Sequence, residues 1–128
     1  MDELVEWLRA QLEIDEEIAR AAAHYEAGNW TTKGGHPVSV ADELVEQADT
    51  FERVVVFDEG SPSEEQAHHI AEHDPARVLR EIDAKRRIIG RINSHAAVMG
   101  WDEVHGDVLR SLALPYADRP GYEESWRP

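Results

Sequence analysis

The chain contains no cysteine. That absence excludes disulfides, thiolate zinc sites and cysteine nucleophiles together. Positive charge is scarce: 13 Lys and Arg stand against 27 Asp and Glu, a formal net charge of −14. Binding of nucleic acid through overall charge is disfavoured, because phosphates need a positive field. An electrostatic hold on an anionic membrane is disfavoured for the same reason. No apolar run approaches the roughly 18 residues of a membrane span. The opening Met1-Asp2-Glu3 is acidic and lacks the basic start of a signal peptide. Nucleotide-binding glycine loops are missing, and no serine lies in a nucleophile elbow. A soluble, cytoplasmic protein is expected.

What remains suits a single domain over residues 1–128, with 41% hydrophobic residues to build one core. Residues 1–64 hold 16 acids and 4 bases, whereas residues 65–128 hold 11 acids and 9 bases. The first segment, Glu3 to Ala27, reads as a long helix capped by Asp2 and stopped by Gly28. Leu4, Trp7, Leu8, Leu12, Ile18, Ala19, Ala22 and Tyr25 form its apolar stripe. Asp15 falls inside that stripe and requires a partner, for which Arg86 and His24 are the candidates.

Short strands are expected at Trp30–Thr32, Val38–Val40 and Arg53–Phe57, with Gly34-Gly35 as a two-residue hairpin turn. Ser61-Pro62-Ser63-Glu64 starts a helix with Ser61 as cap, running to about His73. Asp74-Pro75 starts another, with Asp74 as cap, running to about Met99. Its apolar face carries Val78, Leu79, Ile82, Ile88, Ile89 and Ile92. A last helix over Asp102–Leu114 carries Val104, Val108, Leu109 and Leu112. The tail from Pro115 is expected as an extended segment pinned by Tyr116, Tyr122 and Trp126. The fold class is therefore α+β and mostly helical. A long N-terminal helix packs on a long central helix beside a small antiparallel sheet.

Two stretches carry a resemblance. One is His69-Ile70-Ala71-Glu72-His73-Asp74-Pro75-Ala76-Arg77-Val78-Leu79-Arg80, continuing through Lys85-Arg86-Arg87-Ile88. The other is Leu112-Ala113-Leu114-Pro115-Tyr116-Ala117-Asp118-Arg119-Pro120-Gly121-Tyr122, with Trp126-Arg127-Pro128. Together they resemble a family of small actinobacterial and actinophage proteins classed as a domain of unknown function. The resemblance is strongest in the second half and weakest over Asn29–Glu52. It implies a cytoplasmic protein of such a bacterium or phage, and it supplies no activity.

Three groups of residues could carry function. His69 and His73 are four apart, a helical spacing at which two imidazoles can share a zinc ion. With Glu72 they fit an H-x-x-E-H string, in which Glu72 would activate a metal-bound water. Asp74, His68, Asp15 or His24 would have to supply a third ligand. The plainer reading is a set of surface histidines, and no cofactor is then required. Arg77, Arg80, Arg87 and Arg91 form a basic stripe. It either binds an anionic group or serves as a solvated face paired with the acidic half. Glu6, Glu13 and Glu17, with the acids of residues 42–59, form an acidic face that could imitate a DNA backbone or simply keep a helix soluble.

The favoured function is a non-enzymatic interaction or regulatory protein with a protein partner, which should show an exposed charged or apolar patch. The alternative is a small metal-dependent hydrolase, which needs a third ligand converging on His69 and His73.

Overall fold

The computed structural model describes residues 1–23, 28–41, 54–56 and 62–128. Over these residues the elements are α1 (Asp2–Ala22), β1 (Trp30–Thr31), β2 (Val38–Val40), β3 (Val54–Val56), α2 (Glu64–Glu72), α3 (Pro75–Met99) and α4 (Glu103–Ala113). Short 3-10 turns follow at Leu114–Tyr116 and Glu124–Trp126. The mixture is mostly helical with a small antiparallel sheet, as the sequence pattern requires. Among the described residues no helix is long and apolar enough to cross a membrane. The expected continuation of α1 through Tyr25, and the flanks of the third strand at Arg53 and Phe57, lie outside the described residues.

The chain forms two compact units, one of Met1–Asp15 with Glu81–Pro128 and one of Glu16–Arg80. In the first, α1 packs on α3. Leu4, Leu8 and Leu12 recur every four residues on α1, and each is almost fully buried. Ile82, Ile89 and Ala96 recur every seven on α3 and are buried likewise. Both spacings keep one stripe of a helix turned inward. Leu109 and Ala113 of α4, followed by Tyr116, complete this core. Ile88 departs from expectation at 41% exposure. It sits about 100° round the helix from Ile89, outside the inward stripe.

The tail is not extended. It turns repeatedly, through backbone bonds from Ala117 to Leu114, Arg119 to Tyr116 and Tyr122 to Arg119. These turns wrap it round Trp7, whose ring meets Tyr116, Tyr122 and Trp126 at centroid distances of 6.5, 5.7 and 5.4 Å. The Trp7 Nε1–H donates to the Pro120 carbonyl at 3.1 Å. The expected aromatic anchoring is thus present, achieved by a folded-back chain. Gly121 allows it: φ is +85°, and a Cβ there would lie 2.8 Å from Trp7 Nε1.

In the second unit, β2 is the middle strand, antiparallel to both neighbours. Trp30 pairs with Val40 and Thr31 with Ser39, while the β2–β3 register shifts at a bulge between Val38 and Ser39. All three β2 residues are buried, so the strand is covered on both faces. The expected two-residue turn at Gly34-Gly35 is corrected: pairing ends at Thr31–Ser39, and both glycines lie in a longer loop. Ile18, expected in the α1 stripe, is 61% exposed, and Ala19 takes the buried position of that turn.

The start of α2 is also corrected. Ser63, not Ser61, caps it. Its hydroxyl accepts from Gln66 N–H at 3.2 Å while the Gln66 side chain accepts from Ser63 N–H at 2.8 Å, a reciprocal capping box. Ser61 itself lies outside the described residues. Asp74 does cap α3, accepting from Arg77 N–H at 2.8 Å. Pro75 has no N–H to satisfy, Ala76 N–H goes to the Gly28 carbonyl, and Val78 N–H goes to the Asp74 carbonyl. The donors of the first turn are therefore all accounted for.

Candidate functional site

His69, Glu72 and His73 are all exposed. The two imidazoles lie 4.3 Å apart, centroid to centroid, with planes tilted by 35°. His73 is the C-cap of α2, with φ −100° and ψ 41°, so it has already left the helix. Its Nδ1–H donates to the His69 carbonyl at 2.8 Å, which commits one of its ring nitrogens. His68 sits 3.4 Å from Thr32 Oγ1 and 3.9 Å from Glu64. Glu72 lies 3.9 Å from Arg77. Asp74 spends one carboxylate oxygen on the α3 cap and the other on Trp30 N–H at 3.1 Å. The structure thus brings His69 and His73 together, but Asp74, His68 and Asp15, named as third ligands, have other partners. Among the described residues no three His, Asp or Glu side chains gather to hold a metal ion. His24 lies outside the described residues.

Asp15, for which Arg86 and His24 were the candidates, finds its partners in the tail. Arg119 reaches its Oδ1 at 2.5 Å, and the Tyr116 hydroxyl donates to Oδ2 at 2.9 Å. Arg119 also contacts the Gln11 carbonyl and side chain at 3.4 Å and lies 4.6 Å over the Tyr116 ring. Lys85 Nζ stands 3.4 Å from the Tyr116 hydroxyl. Burial, then the bond to the Asp15 carboxylate, pushes the Tyr116 phenol well above its ordinary pKa. A phenol held neutral and a carboxylate held by a guanidinium fix the tail in place. This cluster is a structural clasp.

The basic stripe is uneven. Arg77 is half-buried and donates to the Glu72 carbonyl at 3.3 Å. Arg80, Arg87 and Arg91 are exposed, and Arg87 pairs with Asp83 at 2.9 Å. Arg77 and Arg80 belong to one compact unit and Arg87 and Arg91 to the other. Glu6, Glu13 and Glu17 are exposed, as expected. The acids of residues 42–53, 58 and 59 lie outside the described residues.

Sequence reasoning missed the corner where α3 ends and α4 begins. Gly100, at φ +83°, turns the chain there. Val98 is 83% exposed, Met99 72%, Val104 69% and Trp101 40%. Val104 is one of the four apolar residues that the sequence assigns to the last helix. It lies in the first turn of α4, and Leu109 and Ala113 supply that helix's buried face. Arg91, Ser94, His95, Val98 and Met99 line a shallow groove on α3. Beneath the corner His95 Nδ1 and His105 Nε2 lie 2.9 Å apart. His105 is 8% exposed, and Asp102 caps α4 over it. Two histidines ten residues apart on different helices leave no spacing signature. Only Asp102-x-x-His105, which has a capping spacing, was visible.

The model of a family of unknown function, DUF6221, matches residues 1–128, and the chain belongs to that family. No curated protein and no solved structure matches it.

Proposed function

We propose that this member of a family without an assigned activity is an interaction protein that docks a protein partner at the α3–α4 corner. The observation that carries the reading is the exposure of Val98, Met99, Trp101 and Val104 within seven consecutive positions. Exposed apolar side chains occur singly on any surface, but a cluster of large ones at a turn favours a binding site. Arg87 and Arg91 are exposed on the same helix, about three and two turns before Val98. A basic flank beside an apolar corner suits an amphipathic partner segment with acidic residues at its edge. The overall acidity of the chain disfavours nucleic acid as the partner. The setting we propose is the cytoplasm of an actinobacterium, or of one infected by a phage that encodes the protein.

The test is affinity capture from such a host with three baits: the unaltered chain, a Val98→Asp, Val104→Asp variant and a Glu6→Lys, Glu13→Lys variant. A partner retained by the first and third baits and lost by the second supports the corner. A partner lost only by the third bait moves the interface to the acidic face of α1 and overturns the reading. Light scattering on the purified chain covers the remaining occupant. A dimer abolished by the corner substitutions would make a second copy, not a foreign protein, the partner.

A further inference from the structure

Two imidazoles from different helices meet at the corner. His95 Nδ1 and His105 Nε2 face each other at 2.9 Å. His105 Nδ1 lies 3.3 Å from the Asp102 N–H and 3.2 Å from Asp102 Oδ1. With Nδ1 accepting from that N–H, His105 carries its proton on Nε2 and donates it to His95 Nδ1. The lone pair of His95 already points into the contact.

We infer that His95 and His105 form a binding site for one first-row transition-metal ion, held by His95 Nδ1 and His105 Nε2 with water in the remaining positions. Metal–imidazole bonds of about 2.0–2.1 Å at a tetrahedral angle place the two nitrogens about 3.3 Å apart. The nitrogens therefore have to separate by a few tenths of an ångström, and the His95 ring also has to turn so that its Nδ1 lone pair leaves the line to His105 Nε2 and meets the ion. His95 is exposed and can supply that movement, whereas His105 is buried and fixed.

The proton balance closes within His105. Binding replaces the Nε2 proton, which relocates to Nδ1 through solvent. There it meets Asp102 Oδ1, giving the carboxylate–histidine–metal arrangement that orients metal-bound imidazoles and raises their basicity. Asp102 is exposed, so its displaced backbone N–H passes to water. Two imidazole donors and open water positions favour copper over zinc by the ordinary affinity order. The ion site stands or falls separately from the docking surface.

The experiment titrates the tag-free, chelator-treated chain with Cu2+ and then Zn2+, following heat and the histidine ring signals by NMR. One ion per chain is expected, Cu2+ binding more tightly, with the His95 and His105 rings shifting together. His95→Ala should weaken binding by at least about tenfold. Asp102→Asn keeps a good helix cap but loses the carboxylate, and should weaken it by about tenfold. A His69→Ala, His73→Ala variant should bind as the unaltered chain does. No saturable binding overturns the site, as does binding that survives His95→Ala or disappears in the His69→Ala, His73→Ala variant.

Discussion

Asp74 joins two elements that lie 44 residues apart: its Oδ2 accepts the backbone N–H of Trp30 while its Oδ1 caps α3 through Arg77. One carboxylate therefore sets both the start of a helix and the start of a strand. Asn caps a helix nearly as well as Asp, but its amide has a single acceptor oxygen. Asp74→Asn must leave either Trp30 or Arg77 without its partner and should cost about 1–2 kcal/mol. Asp74→Ala loses both and should cost about 2–4 kcal/mol. Urea unfolding measures the totals. Amide hydrogen exchange at Trp30 and Arg77 shows which bond the Asn variant gives up. Unchanged exchange at both sites in the Ala variant would refute the shared role.

Gly121 and Gly35 both have φ near +85°, but only Gly121 has a neighbour where a side chain would go. Gly35→Ala should cost only the backbone strain, about 1 kcal/mol. Gly121→Ala adds the collision with Trp7 Nε1 and should cost about 2–3 kcal/mol, with a changed tryptophan emission as the tail loosens. Equal losses for the two variants would mean that the Trp7 contact carries no weight.

The elements were legible where their signals were local. Asp74-Pro75 announced a helix start because a cap and a first-turn proline are chemistry within two residues. Ser61 and Ser63 each have a capping partner three positions on, Glu64 and Gln66, and composition alone could not rank them. The Gly34-Gly35 turn was misread because the strand register is set elsewhere, by the pairing of Trp30 with Val40. Arg119 was invisible as the partner of Asp15, since 104 residues separate them and only the folded-back tail unites them. His95 and His105 were missed for the same reason: their contact depends on how two helices meet at a turn.

The Tyr116 hydroxyl makes stability fall in alkali. Its folded pKa is raised above the ordinary value of 10.0, first by burial and then by the Asp15 bond. Below that value both the folded and unfolded chains keep the proton. Above it the unfolded chain ionises while folded Tyr116 does not, so the unfolded state binds fewer protons and is favoured as pH rises. The unfolding midpoint in urea should drop between pH 9 and pH 11. Tyr116→Phe should be less stable near neutrality by about 1–2 kcal/mol and should show a shallower drop. A slope identical to that of the unaltered chain would assign the alkaline loss to other groups.

Ser39 is buried at 4% exposure, and its hydroxyl has no partner among the described residues. A buried hydroxyl without a bond is a cost that the methyl of alanine does not carry. Ser39→Ala should therefore be neutral or stabilising by up to about 1 kcal/mol in urea unfolding. The same hydroxyl crowds Gly34, where an added Cβ would collide with Ser39 Oγ and lie 3.2 Å from its Cβ. Gly34→Ala alone should be strongly destabilising. Combined with Ser39→Ala it should recover about 1 kcal/mol or more, the coupling expected of residues in direct contact. Additive effects would show that the loop relieves the collision by moving, so that residue 39 does not dictate glycine at position 34.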